Sequence, residues 1–475
     1  MGWETIYNNV TGAIAQQMQS LTQLQDEVST GNRVNVASDD PVAADQIMSL
    51  DSESASLNTY SSNLSSVLTN MQQSSSSLSD VDNALVQAQQ LLSEASTATS
   101  SSTDDQAIGQ EINSLLEQVV SSANTQSDNQ YLFGGSNSST PPYSVQRDSS
   151  GTITSVTYTG SDQPLNVPVA PGVQQSGVLV GDNVFRCDSR ETPVFLGDTG
   201  AKAGTGTSSV QGDVWLSVTH DQTQYVGNTG VAAGSDSATG DTIVGDGHTL
   251  HIDADQKTVS LDDGTAVAYT GASNDIQLTN SKGDTVYVDM SGLDPSLTGT
   301  TDVSINATAK LSIDGGASSV ESTAGQQAVT DSKTGKVLYV DTSSLARTGS
   351  EPISVPGTYN MFDMLINARD VLLGKPPLSS SSLTSVLNQS LNSLNDVYTR
   401  VVTQASEVGA RQQAMTTLQS SLTNMQNNNQ TQTSGLQSAD ITELTVELAK
   451  VQNNYQLTLA AASKVLSMSL LNYLQ

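Results

Sequence analysis

PVAADQIMSLDSESASLNTYSSNLSSVLTNMQQSSSSLSDVDNALVQAQQLLSEA, residues 41 to 95, carries Leu50, Leu57, Leu64, Met71, Leu78, Leu85 and Leu92 at unbroken intervals of seven. Tyr60, Val67, Val81 and Ala88 fill the alternate position, with Glu53 and Ser74 as its lapses. A seven-residue repeat is a coiled-coil register: one face of a long helix must bury against another helix. Asp40 is placed as N-cap and Pro41 at the first helical position, where a missing N–H costs nothing. At 1.5 Å per residue, the predicted helix is roughly 80 Å long.

A matching seam lies far downstream. Leu387, Leu394, Val401, Val408, Met415 and Leu422 recur every seven residues, predicting a second long helix over 380–430 that packs antiparallel on the first. Outside the long helices are two shorter stripes. In residues 1–30, Ile6, Val10, Ile14, Met18, Leu21, Leu24 and Val28 are spaced by threes and fours, and Gly31 breaks the helix. In 441–475 the stripe is Ile441, Leu444, Leu448, Val451 and Tyr455, resuming as Leu459, Ala462, Leu466, Leu470 and Tyr473. Such helices are unstable alone in water, so each is expected to bury against the other and against neighbouring subunits.

A third helix is marked by Ile108, Ile112, Leu115, Val119 and Ala123, and it stops before QYLFGGSNSSTPPY, where two glycines and two prolines forbid continuation. From 142 to 356 the pattern turns to β. TITSVTYTG, HTLHI, KTVSL, TAVAYT, TVYVDM and KVLYVD read as strands, separated by turns such as Asp262-Asp263-Gly264 and Lys282-Gly283-Asp284. One or two small β-rich domains are expected there. Thr358 is the predicted N-cap of MFDMLINARDVLL, which ends at Gly374-Lys375-Pro376-Pro377.

Composition agrees with a thin core. Of 475 residues only 36% are hydrophobic and 4% aromatic, so elongated architecture follows more readily than a sphere. A net charge of −31 repels nucleic acid and anionic membranes, and no nucleic-acid partner is expected. Cys187 is the single cysteine, which excludes an intramolecular disulfide and a Cys-based zinc site. No run approaches the roughly 20 apolar residues of a bilayer span, so no membrane insertion is expected. The opening MGWETIYNNVTGAIAQQ has neither the charge nor the apolar core of a cleaved signal, and Ile6 stands where myristoylation wants Ser or Thr. Export would then need a route without a cleaved signal.

Catalytic patterns are missing. No P-loop, G-x-S-x-G or H-E-x-x-H occurs, and an enzyme is not expected. His248 and His251 in H-T-L-H fall on opposite faces of a strand without a local third ligand, and read as exposed strand histidines. Asp253 and Asp255 read as part of a hairpin turn, since the loop lacks the Gly and distal Glu of a calcium loop. No metal or cofactor is expected.

Four stretches carry a family resemblance: STGNRVNVASDDPVAADQI, NQYLFGGSNSSTPPY, EVGARQQAM and SKVLSMSLLNYLQ. In this order they resemble the flagellin superfamily, and within it the hook-associated proteins that join hook to filament in bacterial flagella. EVGARQQAM resembles the family's late-helix turn. The resemblance implies an elongated, flagellin-like α+β fold in which N- and C-terminal long helices form a coiled-coil or bundle region around an inserted β-rich centre. It implies assembly helices at 1–40 and 436–475, bundle halves at 41–141 and 357–435, and the β-rich centre at 142–356.

It also implies a structural protein of the extracellular flagellum, exported unfolded through the flagellar type III apparatus with an export chaperone. Its expected partners are further copies of itself in a ring or tube, another hook-associated protein and flagellin. A bulk filament subunit is the alternative within the family. A glycan-binding adhesin or hydrolase carried in 142–356 is the alternative outside it.

Overall fold

The computed structural model describes residues 3–97, 102–322 and 325–473; the side chains of Trp3, Ser102 and residues 465–473 lie outside that description. Among the described residues the helices are α1 (Trp3–Thr30), α2 (Pro41–Ala95), α3 (Ser102–Ala123), the short α4 (Gly181–Phe185) and α5 (Ser237–Gly240), α6 (Met361–Leu372), α7 (Ser380–Gln437) and α8 (Ile441–Tyr473). Between α3 and α6 the chain is almost entirely strand and turn. This is an α+β chain whose long helices enclose a β-rich centre in sequence.

Two compact units are present: Met1–Leu68 with Val167–Gln175 and Gln413–Gln475, and Thr69–Asn166 with Ser176–Gln412. In the first, Asp40 caps α2 through a hydrogen bond from Ala43 N–H to Oδ1 at 3.0 Å, and Arg33 pairs with Asp40 at 2.9 Å. Gly31 ends α1 at φ +71°, a left-handed conformation that glycine adopts without strain. Gln426 Nε2 donates to Asn58 Oδ1 at 3.0 Å, joining α7 to α2 in this unit.

The two seven-residue seams are sealed along almost their whole length. Leu57, Leu64, Met71, Leu78, Leu85 and Leu92 are buried, as are Leu387, Leu394, Val401, Val408, Met415 and Leu422, while Leu50 is half-buried. Ser74 is fully buried too, and its hydroxyl has no hydrogen-bond partner. The stretch EVGARQQAM makes no turn: 407–415 lies inside uninterrupted α7, where Glu407 and Arg411 pair across one helical turn. Gly409 is therefore a helical residue with open space around it.

In the second unit α3 packs against α6. The cap of α6 is Asn360, whose side chain accepts from Phe362 N–H at 3.1 Å, and not Thr358. The Thr358 hydroxyl is committed to the β region, accepting from Gly212 N–H at 2.8 Å and donating to the Val355 carbonyl at 2.9 Å.

The β-rich centre holds two cores on one antiparallel sheet. Its strands run, neighbour to neighbour, Val267–Ala268, Thr258–Leu261, Gly245–Asp253, Thr300–Ser312, Gly212–Tyr225, Gly349–Val355 and Val194–Phe195. Val303, Ile305 and Ala307 of the strand Thr300–Ser312 enter one core with Leu250, Ile252 and Val288; Ala309 and Leu311 enter the other with Leu216, Leu338 and Ile353. We call the second of these cores the first lobe and the core around Leu250 the second lobe.

The lobes repeat one plan. Gly197-Asp198-Thr199-Gly200 and Leu338-Tyr339-Val340-Asp341 of the first lobe answer to Gly227-Asn228-Thr229-Gly230 and Val286-Tyr287-Val288-Asp289 of the second. Gly204 N–H donates to the Tyr339 carbonyl at 3.0 Å and Gly234 N–H to the Tyr287 carbonyl at 2.9 Å. Ala346 N–H donates to the Thr199 carbonyl and Asp294 N–H to the Thr229 carbonyl, both at 2.9 Å. Gly200 and Gly230 both have positive φ, and a Cβ on either would meet a carbonyl oxygen at 2.0 or 1.9 Å. The second copy is nested inside the first.

Candidate assembly interface

The first unit brings α1 and α8 side by side. The connection after α1 is stitched by backbone to the end of α7 and the residues before α8: Arg33 N–H donates to the Gln437 carbonyl at 2.7 Å and Ala439 N–H to the Gly31 carbonyl at 2.9 Å. Asp440 opens α8 as a cap, accepting from Thr442 N–H at 2.8 Å and Glu443 N–H at 3.2 Å, and these bonds hold its carboxyl below the usual carboxylate range. The residues between two helices are thereby fixed to the residues between two others.

Pairing buries the predicted stripes only in part. Ile6, Val10, Ile14, Leu21 and Leu24 of α1 are half-buried, as are Leu448, Val451 and Tyr455 of α8; Leu444 is buried. Ile441 and Leu459 remain exposed. Leu466, Leu470 and Tyr473 lie in α8, but their side chains fall outside the described residues. A second set of apolar residues, off the predicted stripes apart from Met18, faces water: Tyr7 is 58% exposed, Met18 53%, Val446 66% and Leu457 68%. Tyr7 and Met18 are eleven residues apart, and so are Val446 and Leu457, a spacing that returns to the same helix face after three turns. That spacing was the available signal. Nearby, Met18 and Val36 line a groove of ≈ 500 Å³ with Thr22, Asp26, Asn35 and Asp39.

In the second unit the stretch QYLFGGSNSSTPPY forms a junction of its own. Phe133 packs tilted against Phe185 at 5.1 Å, and Tyr143 meets Tyr158 at 5.3 Å and Phe362 at 4.7 Å between ring centres. Burial pushes the Tyr143 and Tyr158 hydroxyls up, the latter to about 12. Gly135 sits at φ +60° with the Ser161 carbonyl oxygen 2.2 Å from where a Cβ would be, so the Gly134-Gly135 pair is needed for the chain to pass. These groups pack against one another.

The histidines differ from expectation in one respect. His251 is exposed, but His248 is buried at 6% exposure, held between Asp262 and the Ala346 carbonyl. The strand alternation places the two on opposite faces without revealing that one face is covered. Asp253 serves the turn of a hairpin, accepting from Asp255 and Gln256 N–H. Among the described residues no group of three or more His, Cys, Asp or Glu is placed to hold a metal ion. Among them also, no helix is long and apolar enough to cross a membrane.

The sequence profile of the bacterial flagellin N-terminal helical region matches residues 4–138. Flagellar hook-associated protein 3 of Escherichia coli (strain K12) is 31% identical over 140 residues, covering 28% of this chain and 44% of that protein. The match therefore spans less than half the length of this curated relative. Among solved structures, FlgL of Xanthomonas campestris aligns at 15% identity and TM-score 0.43 over 81% of this chain and 99% of that one. Flagellar hook associated protein-3 of Legionella pneumophila aligns at 19% identity and TM-score 0.44, over 82% and 98%. Residues 4–138 are thus similar in sequence to the N-terminal helical region of bacterial flagellins.

Proposed function

We propose that this chain is a structural component of the bacterial flagellum, the junction between hook and filament, on which filament assembly depends. The observation that carries the reading is the incompletely covered pair α1 and α8, lying within and beside the flagellin-type region, with Tyr7, Met18, Val446 and Leu457 open to water. Exposed apolar side chains on one helix pair, repeated by every subunit of a ring or tube, are covered when copies associate. In this reading 1–40 and 436–475 are the assembly segments, and 41–141 with 357–435 form a bundle held by its own buried seams. The region 142–356 is the appended β part. Partners are other copies, a second hook-associated protein and flagellin. The location is the extracellular flagellum, reached by type III export with a chaperone.

A bulk filament subunit is the second reading, because the profile matched by residues 4–138 is that of flagellins in general. Deletion separates the two. A strain lacking this chain should carry bare hooks by negative-stain microscopy while still secreting flagellin, and the protein should be a trace component of sheared flagella. If it dominates sheared flagella, the filament reading replaces the junction.

A further inference from the structure

The pairing of α1 with α8 uses one face of each helix and leaves another. On α8 the covered residues Leu444, Leu448, Val451 and Tyr455 lie roughly 150° around the helix from Val446, Lys450, Leu457 and Lys464. Those four share one line to within about 40°, and all are exposed. On α1 the half-buried stripe lies roughly 120° from the side that carries Met18, Thr22 and Asp26. A chain therefore cannot lay the open face of its α8 on the open side of its own α1.

The two open faces differ in charge. The groove beside Met18 is lined by Val36, Asp26 and Asp39 and by no basic side chain. Met18 and Val36, 53% and 57% exposed, give it apolar walls. Asp39 accepts from Asn35 N–H at 3.0 Å and Val36 N–H at 2.9 Å, which fixes the wall that holds Val36. α1 contains Glu4, Asp26 and Glu27 but no lysine or arginine. Arg33, the next base along the chain, is committed to Asp40 at 2.9 Å and to the Leu436 carbonyl at 3.3 Å.

On α8 the acids Glu443 and Glu447 are confined to the first two turns, near the positive end of the helix dipole. From Leu448 to Lys464 the only charged residues are Lys450 and Lys464. Lys450 is loosely held, 3.3 Å from Glu447 with both side chains open to water. Leu457 is seven residues from either lysine, about 10.5 Å along the helix, and Asp26 is eight residues from Met18, about 12 Å. Leu457 set against Met18 thus brings a lysine beside Asp26 whichever way the incoming helix runs: Lys450 if antiparallel, Lys464 if parallel.

We propose that this groove is the docking site for α8 of a second copy, with Leu457 on Met18 and Val36 and a lysine against Asp26, a contact that rests on the assembly reading above and gives it a direction. Two grooves facing each other would oppose Asp26 and Asp39 to themselves, and two α8 faces would oppose lysine to lysine. The mixed contact joins opposite charges and unlike faces. Each pair of copies keeps one free groove and one free α8, so the contact closes as a ring or continues as a tube.

The test counts filaments by electron microscopy in strains carrying Lys450→Glu with Lys464→Glu, alone and together with Asp26→Lys. All three side chains are exposed, so melts and secreted amounts should match wild type. The lysine variant should lower filament number by about tenfold or more, and Asp26→Lys should restore it to within about twofold. Normal filament number in the lysine variant, or no recovery with Asp26→Lys, overturns the groove contact. Filaments on the deletion strain would instead remove the assembly reading itself. If the lysine variant is not secreted, cross-linking decides. In a Cys187→Ser background, Met18→Cys with Leu457→Cys in one chain should give a disulfide ladder in isolated flagella, and neither single variant a dimer. A dimer from a single variant, or no ladder, overturns the proposal.

Discussion

Arg369 Nη1 on α6 donates to Asn113 Oδ1 on α3 at 2.9 Å, and the guanidinium that makes this bond is only 2% exposed. The same nitrogen donates to the Ile153 carbonyl at 2.8 Å, and Asp370 takes Nε and Nη2 at 2.8 and 2.7 Å. One planar cation thus joins two helices and the strand Ile153–Tyr158 inside the second unit. Arg369→Met would leave the Asn113 and Ile153 oxygens without this donor, at an expected cost of about 3–5 kcal/mol in urea unfolding. Arg369→Lys should not restore the loss, because a point charge cannot reach the same acceptors as a fork. Stability of either variant within about 1 kcal/mol of wild type would remove this role.

The buried seam of α2 allows a paired test in opposite directions. Leu78→Ala removes a fully buried side chain and should cost about 2–5 kcal/mol. Ser74→Ala, one turn away, removes a buried hydroxyl with no partner and adds helix propensity, so it should gain about 1 kcal/mol. Denaturant titration of both variants checks the signs. A destabilised Ser74→Ala would mean that its hydroxyl is satisfied.

A polar cavity of ≈ 860 Å³ in the second unit is lined by Asp213, Asp363, Tyr359 and Asn367 among others. Asp363 is exposed at the mouth of this cavity, and desolvation, then the charge of Asp213, push its carboxyl up to about 6; burial raises the half-buried Asp213 as well. A raised carboxyl binds its proton more tightly in the folded state, so its contribution is full below the unfolded value and is lost as pH rises through the folded one. Relative to Asp363→Asn, wild-type stability should fall between about pH 4 and about pH 6. Parallel pH–melting curves for the two proteins would contradict this.

Nesting makes the second lobe removable. Tyr225 and Ile305 are paired across adjacent strands, so replacing 226–304 with an Asn-Gly turn closes a hairpin on an existing register. The first core then loses Val244 and keeps Leu216, Val218, Leu311, Leu338 and Val340. The shortened chain should melt cooperatively, although at a lower temperature. A non-cooperative melt would show that the first lobe depends on the second.

What pattern reading reaches here is set by the range of the forces involved. The seams from Leu50 to Leu92 and from Leu387 to Leu422 were legible because a seven-residue period persists along each helix. Asp40 and Gly31 were legible because a cap and a helix stop are local chemistry. The cap of α6 was not, since Thr358 is drawn off by Gly212, 146 residues away. The duplication was hidden for a related reason. Its copies are nested, so Gly227–Gly230 and Val286–Asp289 fall between the two halves of the first copy and no tandem period exists. Val446 and Leu457 lie off the single apolar stripe of α8, and burial of that stripe does not report what its other faces carry.

We propose that the open faces of α1 and α8 join one subunit to the next. The direct measurement is filament formation by a strain carrying Val446→Asp with Leu457→Asp, scored by electron microscopy alongside the melt and the secreted amount of the variant. Both side chains are exposed in the single chain, so the melt should stay within about 1 kcal/mol of wild type. In an assembly each carboxylate would be buried without a partner at every repeat of the contact. The expected result is a folded, secreted protein and hooks without filaments. Filaments of normal number and length from this strain would contradict the account.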